Sequence, residues 1–158
     1  MSKVILFVAA AGLALFSGAA AAGTAINNDM ARCTAGNGPA VLISVRGVKE
    51  AAGRIRVQSY PATSTAWLAK GRWINRIETR ASAGSMSFCV PVPTAGNYGI
   101  AVRHDRNANG KTDIREDGGG FSNNPNITIF NLGKPSVGKV SFYAGTGVTK
   151  ITINLKYM

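Results

Sequence analysis

The feature that most restricts the fold of this chain is an alternation of apolar and polar residues in short segments. In the first of them, Val41, Ile43 and Val45 alternate with Ser44 and Arg46. Successive side chains of a β-strand point to opposite faces, so this period of two predicts a strand with one buried face. The pattern recurs, more or less strictly, around Ile55, Ile77, Phe88, Ile100, Phe142 and Ile153.

Turn-forming residues separate these segments at intervals of about 8–12 residues, and a helical period is almost absent. About seven short strands with this spacing are typical of two packed antiparallel sheets. We therefore predict an all-β fold, a single antiparallel β-sandwich over residues 40–158. A chain of 158 residues is long enough for one such domain with a core of its own.

The N-terminal segment is typical of a signal peptide. Lys3 is followed by the apolar run Val4–Phe16 and by the small residues Ala20–Ala22, which predicts removal of residues 1–22. Residues 23–39 are polar and glycine-rich, so we expect a flexible leader there. No later stretch is long and apolar enough to span a bilayer. We expect an exported protein, periplasmic or secreted, and a monomer.

The two cysteines, Cys33 and Cys89, both follow the predicted signal peptide. In an oxidising compartment an isolated pair most simply forms a disulfide. The alternative is a pair of buried free thiols.

Loss of Lys3 with the signal peptide would leave 17 basic and 7 acidic residues. A basic exported protein can bind anionic cell-envelope polysaccharide or another polyanion. In that hypothesis Arg54, Arg56 and Lys150 lie on outward faces of strands. The basic residues form no run, which favours an ordinary solvated surface, and nothing indicates a specific nucleic-acid partner.

Four of the seven acidic residues lie in one loop, which predicts a site there. The segment matches the calcium-loop pattern D-x-[DN]-x-[DN]-G-x5-E, with Gly110 at the sharp turn and an acid also at the ninth position. Calcium prefers six to eight oxygen ligands, which alternate positions of such a loop can supply. The predicted ligands are Asp105, Asn107, Asn109, Lys111 through its carbonyl, Asp113 and Glu116.

The charge balance of this loop predicts weak binding. Between Arg103 and Asp117 the four acids are matched by four basic residues, and two of the side-chain ligands are neutral amides. Such a site belongs near a Kd of about 10⁻⁴–10⁻³ M. The alternative is a metal-free hairpin in which Asp and Asn side chains cap backbone amides.

His104, the only histidine, precedes Asp105, a pair that an enzyme could use. No serine or cysteine motif supplies a nucleophile, and His104 continues the inward row of Ile100 and Val102. We therefore expect a core histidine and a protein that binds rather than catalyses.

The loop and its flanks resemble a known family. The run His104–Lys111, then Asp113 and Gly120–Asn124, is similar to the hallmark of the exported bacterial family called domain of unknown function 2141. Gly133–Ser136 and the last strand also agree. The resemblance implies an immunoglobulin-like or prealbumin-like sandwich with no established activity. The glycine run 118–120 departs from the family, whose members usually carry a longer insert there.

Overall fold

The computed structural model describes residues 23–128 and 133–158; the predicted signal peptide lies outside them. Ten strands and two short helical turns make up the described part of the chain. The strands are β1 (Thr24–Ala25), β2 (Ala40–Val48), β3 (Arg54–Pro61), β4 (Asn75–Arg80), β5 (Gly84–Pro91), β6 (Gly96–Asp105), β7 (Gly118–Phe121), β8 (Phe142–Ala144), β9 (Val148–Asn154) and β10 (Lys156–Tyr157). A 3₁₀ turn spans Met30–Cys33, and α1 spans Val137–Val140.

The strands form two sheets. The larger sheet has the order β1-β4-β3-β6-β7-β10, with β8 paired to the start of β6, and the smaller sheet has the order β5-β2-β9. The prediction of an all-β sandwich is confirmed, but both sheets are mixed, because β2 pairs with β9 and β1 with β4 in parallel. Parallel neighbours need a long connection, and most of the chain lies between β2 and β9.

The core lies between the two sheets and is built by the alternation seen in the sequence. On β2, Val41, Ile43 and Val45 are fully buried, and their neighbours Phe88 and Val90 on β5 are buried with them. Inward side chains of the larger sheet complete one cluster. These are Ile55, Val57, Ile77, Ile100 and Val102. Burial of a side chain of this size contributes about 1.5–3 kcal/mol, so the core is the main source of stability.

The C-terminal segment joins the two sheets. The sequence predicts one strand over 150–157, whereas the structure has β9 in the smaller sheet and β10 in the larger one. The chain crosses at Leu155, whose amide donates to the carbonyl of Arg46 at 2.9 Å. Ile153 and Leu155 stay buried on both sides of the crossing. The alternation therefore predicts the inward row correctly but cannot indicate the change of sheet.

Two further segments differ from the sequence interpretation. The glycine run after the acidic loop, where no strand was predicted, lies in β7, which pairs with β6 and β10. Glycine has no side chain, so residues 118–120 show no alternation of apolar and polar side chains from which a strand could be predicted. The predicted strand over 139–143 begins later, with β8, because α1 occupies 137–140.

The segment 23–39, expected to be a leader, is attached to the sandwich at several points. β1 pairs with β4, and Asn28 bonds the backbone of both Ser87 and Cys89. The predicted Cys33–Cys89 disulfide is confirmed. Across the described ranges, no helix has the length and apolar character needed to cross a membrane.

Candidate functional site

The acidic loop connects two neighbouring strands of the larger sheet. Asp105 is the last residue of β6, and Gly118 begins β7, which lies antiparallel beside it. Inside the loop, Gly110 has φ = 78° and Ala108 has φ = 56°. The left-handed region favours glycine, so Gly110 stands at a sharp turn, where the calcium-loop pattern places it.

Asp105 holds the entry to the loop. Its side chain is only 5% exposed. Oδ1 accepts the amide of Asn109 at 3.2 Å, and Oδ2 accepts the amide of Gly110 at 2.9 Å. Arg103 pairs with the same carboxylate at 3.2 Å. A carboxylate has about four acceptor positions, so these three bonds leave one position of Asp105 open.

Four of the other predicted ligand positions come together in space. Nδ2 of Asn107 lies 3.3 Å from Asp113 Oδ2 and 3.1 Å from Glu116 Oε2. Nδ2 of Asn109 lies 2.6 Å from the same oxygen of Asp113. The backbone amide of Lys111 donates to Asn109 Oδ1 at 2.7 Å. The spacing in the sequence therefore predicts a real convergence of polar side chains.

These contacts change the acidity of Asp113. The amide donors of Asn109 and then Asn107 lower its pKa below the ordinary value, because they stabilise the charged form. The positive charges of Lys111 and Arg103 act in the same direction. Asp113 is therefore an ionised acceptor at neutral pH.

Asp117 is a structural residue that the motif does not include. It is 6% exposed. Oδ1 accepts the amide of Arg106 at 3.2 Å, and Oδ2 accepts the amide of Asp113 at 3.0 Å. The carboxylate thus ties the first half of the loop to the second. The only sequence signal was an acid placed directly before β7.

Two arginines, Arg103 and Arg106, form hydrogen bonds with the outer side of the loop. Arg103 donates to Thr112 Oγ1 at 2.9 Å and to the carbonyl of Gly110 at 3.1 Å. Arg106 donates to the carbonyl of Glu116 at 3.1 Å and forms an ion pair with Glu50. The bond to Arg106 lowers the pKa of Glu50. Positive charge near the oxygens weakens their attraction for a cation.

The donor set of the loop consists of carboxylates and carboxamides. Among the described residues, no three His, Cys, Asp or Glu side chains form a ready metal-binding group. The convergent set instead mixes two carboxylates, Asp113 and Glu116, with the carboxamides of Asn107 and Asn109. Rotation of each carboxamide by half a turn would present its oxygen in place of its nitrogen. Oxygen ligands of this kind suit calcium.

His104 is fully buried beside the loop. Nε2 lies 2.7 Å from the carbonyl of Ala52, which can only accept, so Nε2 carries the proton. Nδ1 lies 2.7 Å from the hydroxyl of Tyr157, which also accepts the amide of Lys49 at 3.0 Å. Burial raises the pKa of Tyr157, so its hydroxyl keeps its proton and can donate it to Nδ1 of His104. This bonded position is the core role expected for His104.

The outer face of the larger sheet carries arginines that are scattered in the sequence. The outward residues of three neighbouring strands are paired in register: Arg54 with Arg80, Arg56 with both Glu78 and Arg103, and Gln58 with Arg76. We call the set Arg54, Arg56, Arg76, Arg80 and Arg103 the arginine face. Burial lowers the pKa of Arg76 and Arg103, and the charge of Arg56 lowers both further. Lys150 lies on β9 in the other sheet, away from this set.

Together these features define an all-β sandwich protein with an Asx-rich loop at one end of its larger sheet. The chain belongs to the bacterial family described as "Uncharacterized protein conserved in bacteria (DUF2141)", whose model matches residues 43–152. The matched range runs from β2 to β9 and includes the whole acidic loop, in agreement with the resemblance seen in the sequence. No curated protein and no solved structure shows significant similarity to the chain.

Proposed function

We propose that this protein is an exported, non-enzymatic binding module whose 105–116 loop binds calcium weakly. The observation that carries the proposal is the convergence of Asn107, Asn109, Asp113 and Glu116 within hydrogen-bond distance of one another. Asn and Asp side chains in loops commonly bond the nearby backbone, as Asn107 and Asn109 do through their oxygens. The bonds between the side chains themselves come in addition to these. A calcium ion would replace the amide-to-carboxylate bonds with oxygen ligands.

The first and seventh positions of the pattern complete the proposed ligand set. Asp105 keeps one acceptor position open, and Lys111 would contribute its backbone carbonyl. A bound cation would tie the end of β6 to the residues just before β7, ordering this end of the larger sheet. The arginines at the loop oppose the cation, so the affinity belongs in the range of about 10⁻⁴–10⁻³ M.

Thermal unfolding with and without calcium tests this proposal. A ligand that binds only the folded state adds RT ln(1 + [L]/Kd), or ~2 kcal/mol at about 10 mM calcium and a Kd of about 0.3 mM. We expect the Tm to rise by several degrees. Magnesium should substitute poorly, since it requires a smaller octahedral site.

Two variants locate the effect in the loop. Asp113→Asn and Glu116→Gln should each remove the calcium increment. Asp29→Asn, which makes the same change of charge at an exposed position outside the loop, should keep it. A Tm that does not respond to calcium at matched ionic strength would leave only the hairpin capped by its own side chains.

Export is the second part of this proposal. It is supported by the predicted signal peptide and by a disulfide, which forms in oxidising compartments. N-terminal sequencing of protein from the periplasm or medium should find Gly23 first. Recovery of the intact chain from the cytosol would contradict export.

The absence of catalysis remains a prediction. Both ring nitrogens of His104 are engaged, and the ring is fully buried. A general base must reach the proton that it removes, and in this structure the ring faces Tyr157 and Ala52. Tyr143→Phe, at an exposed residue, is the control. A catalytic activity that is lost in a folded His104 variant but kept in Tyr143→Phe would contradict the proposal. An activity lost in both variants would not implicate His104.

A second candidate function is the binding of an anionic cell-envelope polysaccharide to the arginine face. What favours it is the assembly of five arginines on three neighbouring strands, where the acids paired with them are Glu78 and Asp105. Retention on heparin should weaken steeply between about 50 and 200 mM salt, because released counterions drive such binding.

A matched pair of double variants separates this candidate from general charge attraction. Arg54→Gln with Arg80→Gln removes two exposed charges from the arginine face. Lys139→Gln with Lys150→Gln removes two exposed charges elsewhere. We expect only the first pair to lower the eluting salt strongly, and an equal loss from both pairs would contradict a defined site.

A further inference from the structure

A groove lies on the outer face of the larger sheet, beside the acidic loop. Its volume is about 260 Å³. Outward residues of β3, β6, β7 and β10 contribute to it, including Gln58, Arg103 and Gly119. Thr112 and Ile114 of the acidic loop line one side, and Leu68 comes from the connection between β3 and β4. The volume lies just below the range of about 300–1,000 Å³ for drug-sized ligands, so the groove suits a small molecule.

The floor of the groove is open because Gly119, the residue at its centre, has no side chain. A Cβ on Gly118 would lie 2.5 Å from the Tyr157 ring, and a Cβ on Gly120 would lie 2.7 Å from Ile153. These two glycines are required by packing toward the core. A Cβ on Gly119, which points to the opposite face, would meet nothing within 4 Å. Packing therefore does not require a glycine at 119, and its effect is to leave space above the sheet.

Two cations flank this open position. In the sheet register Gly119 pairs with Arg103 on one side and with Lys156 on the other. Residues paired across neighbouring strands have Cβ positions about 4.5–5.5 Å apart on one face, so both side chains border the same space. Nε of Arg103 is buried and has no hydrogen-bond partner in the part of the chain that the structure describes. This N–H has no accessible surface of its own, so what Arg103 offers to a ligand in the groove is the positive charge of its guanidinium.

The rest of the lining is mostly apolar, and it also includes the polar side chains of Gln58 and Lys134. Asp117, the acid at its edge, accepts two backbone amides through its two oxygens, and so it is engaged by the protein. The apolar wall includes Tyr60 and Phe121, and the Trp67 ring contacts each of them edge to face. The apolar lining residues are Tyr60, Leu68, Ile114, Phe121, Ile127 and Met158.

We propose that this groove binds a small carboxylate with an apolar tail. The carboxylate would lie over Gly119, between the positive charges of Arg103 and Lys156. The tail would lie against Tyr60 and Phe121. Charge-assisted hydrogen bonds to the head and burial of the tail each contribute to affinity. The site does not depend on calcium in the loop.

Calorimetric titration of the mature protein with sodium octanoate, in a chelator and at fixed ionic strength, tests the proposal. A ligand of this size should bind with a Kd of about 1 mM. Octanol lacks the charge and acetate lacks the tail, so each should bind at least about tenfold more weakly. Because the chelator removes calcium, failure of the calcium proposal would not affect this result.

Two variants with matched controls locate the ligand. Gly119→Leu fills the groove and should abolish binding, while Gly138→Leu, another position with open space, should leave it unchanged. Lys156→Gln should weaken binding about tenfold, in line with the loss of a charge-assisted contact. Lys150→Gln, with the same change of charge in the other sheet, should not weaken it.

Three results would overturn the proposal. The first is the absence of saturable octanoate binding. The second is binding that survives Gly119→Leu, because the ligand would then lie elsewhere. The third is an equal loss in Lys156→Gln and Lys150→Gln, which indicates general charge attraction. Thermal unfolding of Gly119→Leu confirms that the variant is folded, and Lys156→Gln tests the site without altering the backbone.

Discussion

The acidic loop and the groove beside it share Thr112, Ile114 and Asp117, yet they are built in opposite ways. In the loop, the carboxylates and carboxamides bond one another and nearby amides. In the groove, Arg103 keeps a buried donor without a partner in the described residues, and Gly119 leaves space above the sheet. The polar side chains of the loop are paired within the protein, whereas the groove is bordered by the charged side chains of Arg103 and Lys156.

The two regions also differ in how their residues are brought together. The loop is one continuous segment, so its spacing in the sequence is also its spacing in space. The groove takes residues from four strands and three connections. Arg103 and Lys156 are neighbours there only through sheet pairing. A short motif can therefore indicate the first region but not the second.

Asp105→Ala should have the largest effect on this comparison, because Asp105 touches both regions. It accepts two loop amides and pairs with Arg103, which lies under the groove. Removing one partner of a largely buried pair leaves the other charge uncompensated, so the free energy of unfolding should fall by about 3 kcal/mol.

Urea unfolding of the variant measures this loss. The exposed Asp29→Ala is the control and should change stability by less than about 0.5 kcal/mol. A similar small change for Asp105→Ala would show that the loop and the sheet are held together by other contacts.

Alanine substitutions in the glycine run should give the next largest loss of stability. They test whether position 119 alone has space for a side chain. Gly118→Ala and Gly120→Ala force a Cβ against Tyr157 or Ile153, and such overpacking costs about 1–3 kcal/mol. Gly119→Ala meets nothing and should leave stability unchanged or raise it by about 0.5 kcal/mol. Thermal unfolding of the three variants decides the question; equal losses at all three positions would contradict an open floor.

Tyr157→Phe tests the contact that anchors β10, and with it Lys156, from the core side. The variant keeps the ring but removes the hydroxyl that bonds His104 and the amide of Lys49. An unpaired buried ring nitrogen should lower the free energy of unfolding by about 1–2 kcal/mol. Tyr143→Phe, at a residue that is 64% exposed, is the matched control and should be neutral.

Asn109→Ala should have the smallest effect, a change in acidity within the loop. Asn109 donates to Asp113 and is the first cause of its lowered pKa, so the variant should move that pKa back toward its ordinary value of 3.8. A lowered folded-state pKa contributes stability above the unfolded value, and this is lost as the pH falls through the folded one. An NMR titration of the Asp113 carboxyl measures the shift; no upward movement would mean that the Asn109 bond is not formed in solution.

Much of the fold could be predicted from the chain alone. The alternation on β2, β3, β5 and β6 places inward residues such as Ile43 and Ile100 correctly, because a strand's two faces are set by its own period. The even cysteine count predicts the Cys33–Cys89 bond. For the candidate site, the loop spacing predicts the convergence of Asn107 with Asp113 and Glu116, while Asp117 went unrecognised because backbone capping depends on how the loop closes.

The sequence by itself therefore determined the inward rows, the disulfide and the polar loop, all of which follow from local period, count or spacing. Only the tertiary structure decided which strands lie side by side: the parallel pairing of β2 with β9, the crossing at Leu155 and the strand formed by residues 118–121. The arginine face and the Arg103–Gly119–Lys156 row both result from this pairing of strands. The physical reason is that backbone hydrogen bonds between strands carry no side-chain signal, so residues distant in the chain become neighbours only when the sheets form.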